Sequence, residues 1–344
     1  MSETVYDFRS DNVGGVAPEL LEAMAAANHG TAAPYGDDDF TRRMATRFRE
    51  VFEHPRLTVY PVPTGTGANV VALAGLANPY GAIYCHATSH INVYECGAPE
   101  QFTGAKLVPL AGNDYKLNAK ALDAALGLAG RGNPTRVQPF ALNLTQPTDF
   151  GTLYGLDELR SLCDVAHRHG LRVHLDGARF ANALVALECS PADMTWRAGV
   201  DVVSFGATKN GAMNAEAVLV FDPTVAATLP YLMKRGGQVL SKARYVSAQL
   251  ERYLADDRWL QRARAANDHA RRLTERLQAA GVEIVGDVQV NLLFTRLPPE
   301  VVAALDRGPF RYYKLGLEQR FVCRHDQEPE GMDALVDSVV RALA

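Results

Sequence analysis

The sequence predicts an α/β fold, with a large, mainly parallel sheet followed by a smaller α+β unit. Three observations support this. Between Leu57 and about Phe221, short apolar runs alternate with helical patterns, the rhythm of strand–helix–strand units. Two of those runs, Arg172-Val-His-Leu-Asp176 and Val202-Val-Ser-Phe-Gly-Ala-Thr-Lys209, each stop at a charged residue, since a strand buried on both faces cannot easily carry a charge in its middle. Beyond Asp222 the rhythm changes to long Arg- and Ala-rich helical stretches and scattered short strands. A length of 344 residues suits about two domains. The boundary falls near residue 250, giving a large unit over 1–250 that includes the amino-terminal segment and a small one over 251–344. No Gly/Ser linker separates them, so they are expected to pack closely.

A polar, turn-rich opening runs through Tyr35-Gly-Asp-Asp-Asp39. Strands are then expected at Leu57–Pro61, Ala82–Cys85, Lys106–Leu110, Pro139–Leu144, Arg172–Leu175, Asp201–Phe205 and Ala217–Phe221, where β-branched and apolar residues cluster between turn formers. Helices fall between them at Ala68–Leu76, Asn118–Leu128 and Leu156–His169, the last closed by Gly170. Long helical stretches follow over Pro223–Leu254 and Trp259–Ala280. Short strands come next at Glu283–Val285, Asn291–Thr295, Phe310–Lys314 and Phe321–Cys323, and Pro329–Ala344 is a closing helix.

With 47% hydrophobic and 22% charged residues, the composition is that of an ordinary soluble globular chain. A net charge of −4 and no Lys/Arg run argue against nucleic acid. The amino terminus has acids where a signal peptide carries basic residues, and no apolar stretch is long enough for a membrane span, so a cytoplasmic protein is expected. Five scattered cysteines without a Cys-x-x-Cys pair indicate neither a disulfide framework nor a metal site.

At a strand's carboxyl end a charged side chain emerges into the crevice where open α/β sheets bind ligands. Asp176 and Lys209 stand 33 positions apart, about one crossover, so neighbouring strands can deliver both to one pocket. A lysine amine facing a carboxylate across a flat heteroaromatic ring is the arrangement that pyridoxal phosphate chemistry needs. Thr64-Gly-Thr-Gly-Ala-Asn69 follows a strand and opens a helix, which suits a phosphate as well as it suits a plain tight turn. His90 follows the next strand, where its ring can stack on a cofactor or simply cap a helix. His174, two residues before Asp176, reads as a packed strand residue. Arg179 is placed either to meet the cofactor's phenolic oxygen or to pair at a helix start. Arg320 is placed either to clamp a substrate carboxylate or to sit at the rim as a solvated charge.

Together, Arg9-Ser-Asp-Asn-Val13, Tyr35-Gly-Asp-Asp38, Thr64-Gly-Thr-Gly-Ala-Asn69, His90, His174-Leu-Asp-Gly-Ala-Arg179 and Lys209 resemble, in order and spacing, the L-threonine aldolase family. These are pyridoxal-phosphate enzymes of fold type I, the aspartate-aminotransferase fold, in the β-eliminating lyase group. The resemblance spans essentially the whole chain. It implies that Lys209 binds the cofactor covalently, that Asp176 pairs with its ring nitrogen and that Arg179 meets its ring oxygen. Gly65 and Thr66 would then seat the phosphate and His90 would stack on the ring, while Ser10 and Arg320, with Arg179 close by, bind the substrate carboxylate. Family members are homotetramers whose dimers share active sites, which implies Tyr35 near an adjoining subunit's site and Lys242 toward a neighbour's phosphate.

One motif departs from the family. Many members carry Glu-Asn-Thr-His after the fourth strand, where this chain has Asn143-Leu-Thr-Gln146, so Gln146 is expected to take over a substrate contact. That form resembles the low-specificity and phenylserine-cleaving branch. The implied reaction is reversible cleavage of an L-β-hydroxy-α-amino acid to glycine and an aldehyde, with His90 or a water it positions as base. Another pyridoxal-phosphate lyase or aminotransferase reaction on the same scaffold is the alternative.

Overall fold

The computed structural model describes residues 5–344, so the acidic start at residues 1–4 lies outside it. Seven strands form the main sheet in the order Thr58–Val62, Glu216–Val220, Val202–Gly206, Arg172–Gly177, Gln138–Thr145, Gly81–His86 and Lys106–Leu110. Glu216–Val220 pairs antiparallel with both of its neighbours, and the other pairings are parallel. That one reversal matters for the site: the antiparallel strand begins where the others end, so Glu216 lies opposite Val62 and Gly206 at the carboxyl edge.

Strand residues alternate between two buried layers, as the two-residue period of a strand demands. Tyr84, Leu142, Val173, Val203 and Phe205 face one layer, and Ile83, Cys85, Ala141, Val202 and Val218 face the other. The second layer is closed by the helix Gly65–Leu76, which is buried almost all round because it lies between the sheet and Leu229–Arg235.

The opening holds more order than its composition suggests. Pro18–Ala27 and Asp39–Val51 are helices, the second begun by Asp38, whose carboxylate accepts the Thr41 N–H at 2.9 Å. The stretch expected as one long helix over Pro223–Leu254 is three, Pro223–Ala226, Leu229–Arg235 and Arg244–Tyr253. The chain leaves the second at Gly236-Gly237, where Gly237 takes φ +70°.

After the helix Arg258–Ala279, a four-stranded sheet runs in the order Tyr313–Leu315, Glu318–Val322, Leu292–Arg296, Glu283–Ile284. Pro299–Arg307, unassigned from the sequence, and Pro329–Leu343 cover it. The expected Phe310–Lys314 strand is split between two sheets. Phe310–Arg311 pairs in parallel with Tyr6–Asp7, and Tyr313–Leu315 pairs with Glu318–Val322. Phe8 packs with Leu293, Phe321 and Leu335 in a core beside the four-stranded sheet. No helix among the described residues is long and apolar enough to cross a membrane.

Candidate functional site

A cavity of about 390 Å³ opens at the carboxyl edge of the main sheet, and Lys209, Asp176, His90, Arg179, Gly65 and Thr66 all line it. Lys209 sits in the tight turn Thr208–Asn210 that follows Val202–Gly206. The turn is held from below by Asn210, whose Nδ2 donates to Tyr253 Oη at 2.6 Å and to the Trp259 carbonyl at 2.8 Å. A Cβ at Gly206 would lie 2.5 Å from the Ala178 carbonyl oxygen, so only glycine lets the arms bearing Lys209 and Asp176 come this close. Burial, reinforced by the Arg179 charge, lowers the Lys209 pKa against the pull of Asp11, Asp176 and Asp149. Glu216 also lines the cavity, and burial pushes its carboxyl well above the usual range.

Asp176 is 3% exposed and doubly held: Oδ1 accepts the Ala178 N–H at 3.1 Å and Oδ2 accepts Asn69 Nδ2 at 3.0 Å. Asn69 donates its other proton to Glu95 Oε1 at 2.8 Å, and the same oxygen lies 2.9 Å from His90 Nδ1. Burial works against a charge on His90. The Glu95 hydrogen bond, with Asp176 and Asp149, outweighs it and leaves the ring easier to protonate than usual. Below Asp176, His174 is fully buried between Asn143 Oδ1 at 2.7 Å and Ser204 Oγ at 2.8 Å, as expected of a packed strand residue.

The helix start at Gly65 satisfies the demands of an anion seat. Its first N–H groups have no intrahelical acceptor, and Thr64 Oγ1 caps only the Gly67 N–H, at 3.0 Å. Gly65 leaves open space where a Cβ would stand, whereas a Cβ at Gly67 would lie 2.3 Å from Gln238 Oε1. Buried Asn69 Oδ1, at the cavity wall, has no protein partner among the described residues. Amide-lined space at one end and a fixed carboxylate beside an orphaned amide oxygen at the other fit a phosphorylated heteroaromatic ring.

Arg179 Nε and Nη2 donate to Asp11 Oδ2 at 2.9 and 2.6 Å, and Asp11 Oδ1 accepts Asn291 Nδ2 at 2.5 Å. The Arg9-Ser-Asp-Asn-Val motif thus acts through Asp11, which the sequence reading passed over. Ser10 Oγ accepts the Asn12 N–H at 3.2 Å and caps that turn. Arg320 Nη2 donates to the Arg9 carbonyl at 3.2 Å, while its buried Nε has no protein partner among the described residues. Burial and then the Arg179 charge lower its pKa.

Tyr35 and Lys242 are exposed away from this cavity. Tyr35 lines a separate hollow with Lys234, whose Nζ lies 5.4 Å from the ring centre. Gln146 corrects an expectation. It is fully buried, Nε2 donates to the Tyr154 carbonyl at 2.8 Å and Oε1 accepts the Tyr154 N–H at 3.0 Å, so its amide is consumed in holding a turn. Its neighbours Thr145, Pro147 and Asp149 line the cavity instead. Asp11, Asn69, Glu95, Asp149 and Glu216 are the site residues that sequence reasoning missed. Asn69 was within reach, since it closes the Thr64–Asn69 motif.

Comparison with known proteins agrees with this geometry. The family model described as Beta-eliminating lyase matches residues 7–298. The chain is 39% identical over 344 residues to the low specificity L-threonine aldolase of Pseudomonas aeruginosa, covering 98% of each chain. It is 38% identical over 334 residues to that of a Pseudomonas species, covering 95% of each. Among solved structures, Leishmania major threonine aldolase superposes with a TM-score of 0.93 at 28% identity, over 98% of this chain and 100% of that one. The chain therefore belongs to the beta-eliminating lyase family and, within it, to the pyridoxal-phosphate-dependent L-threonine aldolases, carbon–carbon lyases of fold type I.

Proposed function

We propose that this chain cleaves a broad set of L-β-hydroxy-α-amino acids, of the threonine, allo-threonine and phenylserine types, to glycine and the matching aldehyde. The observation that carries this reading is that Lys209, Asp176 and the amide-rich helix start at Gly65 open into one cavity. Pyridoxal phosphate, when bound, supplies a sink for the electron pair left on Cα. Lys209 holds the cofactor, and its lowered pKa makes the amine a readier nucleophile. Asp176, fixed by Asn69 and the Ala178 N–H, keeps a proton on the ring nitrogen. His90, steadied by Glu95, covers the ring face. The N–H groups of Gly65 and Thr66 take the phosphate.

Arg179, Arg320 and Ser10 form the carboxylate end, supported by the Asp11 bridge and by the reach of Arg320 to the Arg9 carbonyl. Because charge-assisted hydrogen bonds discriminate strongly and apolar pockets weakly, the glycine half is recognised strictly and the aldehyde half loosely. Tyr35 and Lys242, away from this cavity, serve an adjoining subunit's site in a homotetramer. The same reading divides the chain near residue 250, with Tyr6–Phe8 lying against the smaller unit. It also places the protein in the cytoplasm, in keeping with five unpaired cysteines.

The test is product analysis of the cofactor-loaded protein with L-threonine, L-allo-threonine and L-phenylserine, alongside Lys209→Ala. Equimolar glycine and aldehyde are expected from the parent. The variant should keep its circular dichroism but lose both turnover and the visible absorbance of bound cofactor. Release of keto acid and ammonia without glycine would replace this reading with elimination.

A further inference from the structure

We propose that Asp149 is the catalytic residue that takes the substrate's β-hydroxyl proton as the Cα–Cβ bond breaks. Asp149 follows the strand Gln138–Thr145, in a turn pinned by Thr148 and Thr152. The Thr148 N–H donates to the Thr152 carbonyl at 2.9 Å, and the two hydroxyls lie 2.7 Å apart. That turn places Asp149 on the cavity wall with His90, Asp176 and Lys209.

The other carboxylates at or near this wall are engaged or enclosed. Both Asp176 oxygens accept hydrogen bonds, Asp11 holds Arg179, and the Glu95 side chain presents no accessible surface. Glu216 is 6% exposed and lies on the strand beside Lys209. His90 is held at Nδ1 by Glu95 Oε1 at 2.9 Å and, on the reading above, its ring covers the cofactor face. Asp149 is partly accessible, yet its Oδ2 is buried without a protein partner among the described residues.

Behind that oxygen lies a second, small polar void of about 10 Å³. His86, Ser89, Asn143 and Thr145 line it, and His86 Nε2, Ser89 Oγ, Asn143 Nδ2 and Thr145 Oγ1 are likewise buried and unpartnered among the described residues. The space is about that of one water, and the set supplies two N–H donors, the Asn143 amide and the His86 ring whose Nδ1 accepts the Thr88 N–H, with one carboxylate acceptor and two hydroxyls that can do either. A water seated there accepts from Asn143 and donates to Asp149 Oδ2, giving the ionised carboxylate one internal hydrogen bond. Burial raises the Asp149 pKa, helped by Asp176 and opposed by His90, Lys209 and Arg179. A carboxylate raised toward the working pH is a stronger base than a surface one.

On the aldolase reading, which this step requires, atoms and electrons balance without a further reagent. The substrate O–H bond breaks and its proton passes to the Asp149 carboxylate. The O–H pair becomes the second bond of the aldehyde carbonyl, and the Cα–Cβ pair stays on Cα. Cα then takes one proton from solvent to become glycine and Asp149 returns its own to solvent, so the net proton count is zero.

Asp149→Asn and the parent, both loaded with pyridoxal phosphate, separate this role from a structural one in two reactions. Cleavage of L-threonine should fall by about a hundredfold or more. Exchange of glycine's α-proton in deuterium oxide, which involves no hydroxyl, should stay within a few-fold, and Asp149→Glu should recover part of the cleavage rate. Equal losses in both reactions, or undiminished cleavage, would overturn the assignment. A parent that exchanges glycine yet cleaves no β-hydroxy amino acid would instead sink the aldolase reading itself.

A readout without cofactor completes the test. A raised folded pKa stabilises the protonated acid, so the parent loses stability relative to Asp149→Asn as pH rises from 4 to 8. His90, Asp176, Lys209, Arg179 and, across the void, His86 face Asp149 in both proteins, and their titration largely cancels in the difference. A difference independent of pH would overturn the proposal.

Discussion

Acid should unfold this protein in part through His174, by an amount the structure sets. The ring has no exposed surface, and burial brings its pKa from 6.5 down to about 4, only weakly opposed by Asp176. With Nδ1–H donating to Asn143 Oδ1, Nε2 accepts from the Ser204 hydroxyl, so the pair of partners suits the neutral ring. The unfolded chain binds the proton more readily than the folded one. The stability contributed by a neutral His174 is therefore intact above pH 6.5 and is lost as pH falls from 6.5 toward 4. By linkage the loss reaches about 2.5 kcal/mol at pH 4.5. The assay is urea unfolding of the cofactor-free protein at one concentration, parent against His174→Gln, at pH 7.5 and 4.5. Any advantage of the parent should shrink by about that amount at the lower pH. A parent–variant difference that does not move with pH would refute the reasoning. At the pH of catalysis, a neutral His174 adds no positive charge beneath Asp176 to compete for its carboxylate.

Three further outcomes are expected. Asp176→Asn should slow single-turnover cleavage at saturating cofactor by at least about a hundredfold while lowering cofactor affinity far less, and a near-parent rate would make Asp176 merely structural. Gly67→Ala drives a Cβ to 2.9 Å from the capping Thr64 Oγ1 as well as into Gln238, so cofactor affinity measured by absorbance titration should weaken several-fold; an unchanged Kd would remove this helix start from the phosphate seat. Arg320→Ala should raise KM by about 10- to 100-fold, and by a similar factor for aliphatic and aromatic substrates, and unaltered kinetics throughout would take Arg320 out of the carboxylate end.

The seven strands of the main sheet were legible because each is an apolar run with turn formers at its ends, a pattern that depends on nothing distant. Asp176 and Lys209 stood out for a related reason, since a charge that closes such a run has one plausible exit. The helix begun by Asp38 was hidden because Gly-Asp-Asp-Asp serves equally as a turn and as a cap, and only the fold decides which. Glu95 and Asp149 carried no local signal, and Asp11 lay within a singled-out motif without its role being readable from it. Their partners lie 168 positions away at Arg179, across a turn at His90, or around a void assembled from several segments. Gln146 was misjudged because adjacency along the chain does not say on which side of a turn a side chain falls. The step that sends Asp149 into the cavity sends Gln146 back toward Tyr154.

Asp11 touches Arg179, just beyond the strand Arg172–Gly177, with one oxygen and Asn291, just before the strand Leu292–Arg296, with the other, and its chain arrives from a strand paired with Phe310–Arg311. Seating of the four-stranded sheet's edge at Asn291 and orientation of Arg179 are therefore linked through one carboxylate. A ligand that engages Arg179 should tighten that link. Conversely, a change that loosens Tyr6–Phe8, far from any reacting atom, is felt as weaker ligand binding. Linkage makes the two effects equal in free energy, so the protein's melting temperature should rise with occupancy of a cavity that the four-stranded sheet does not line.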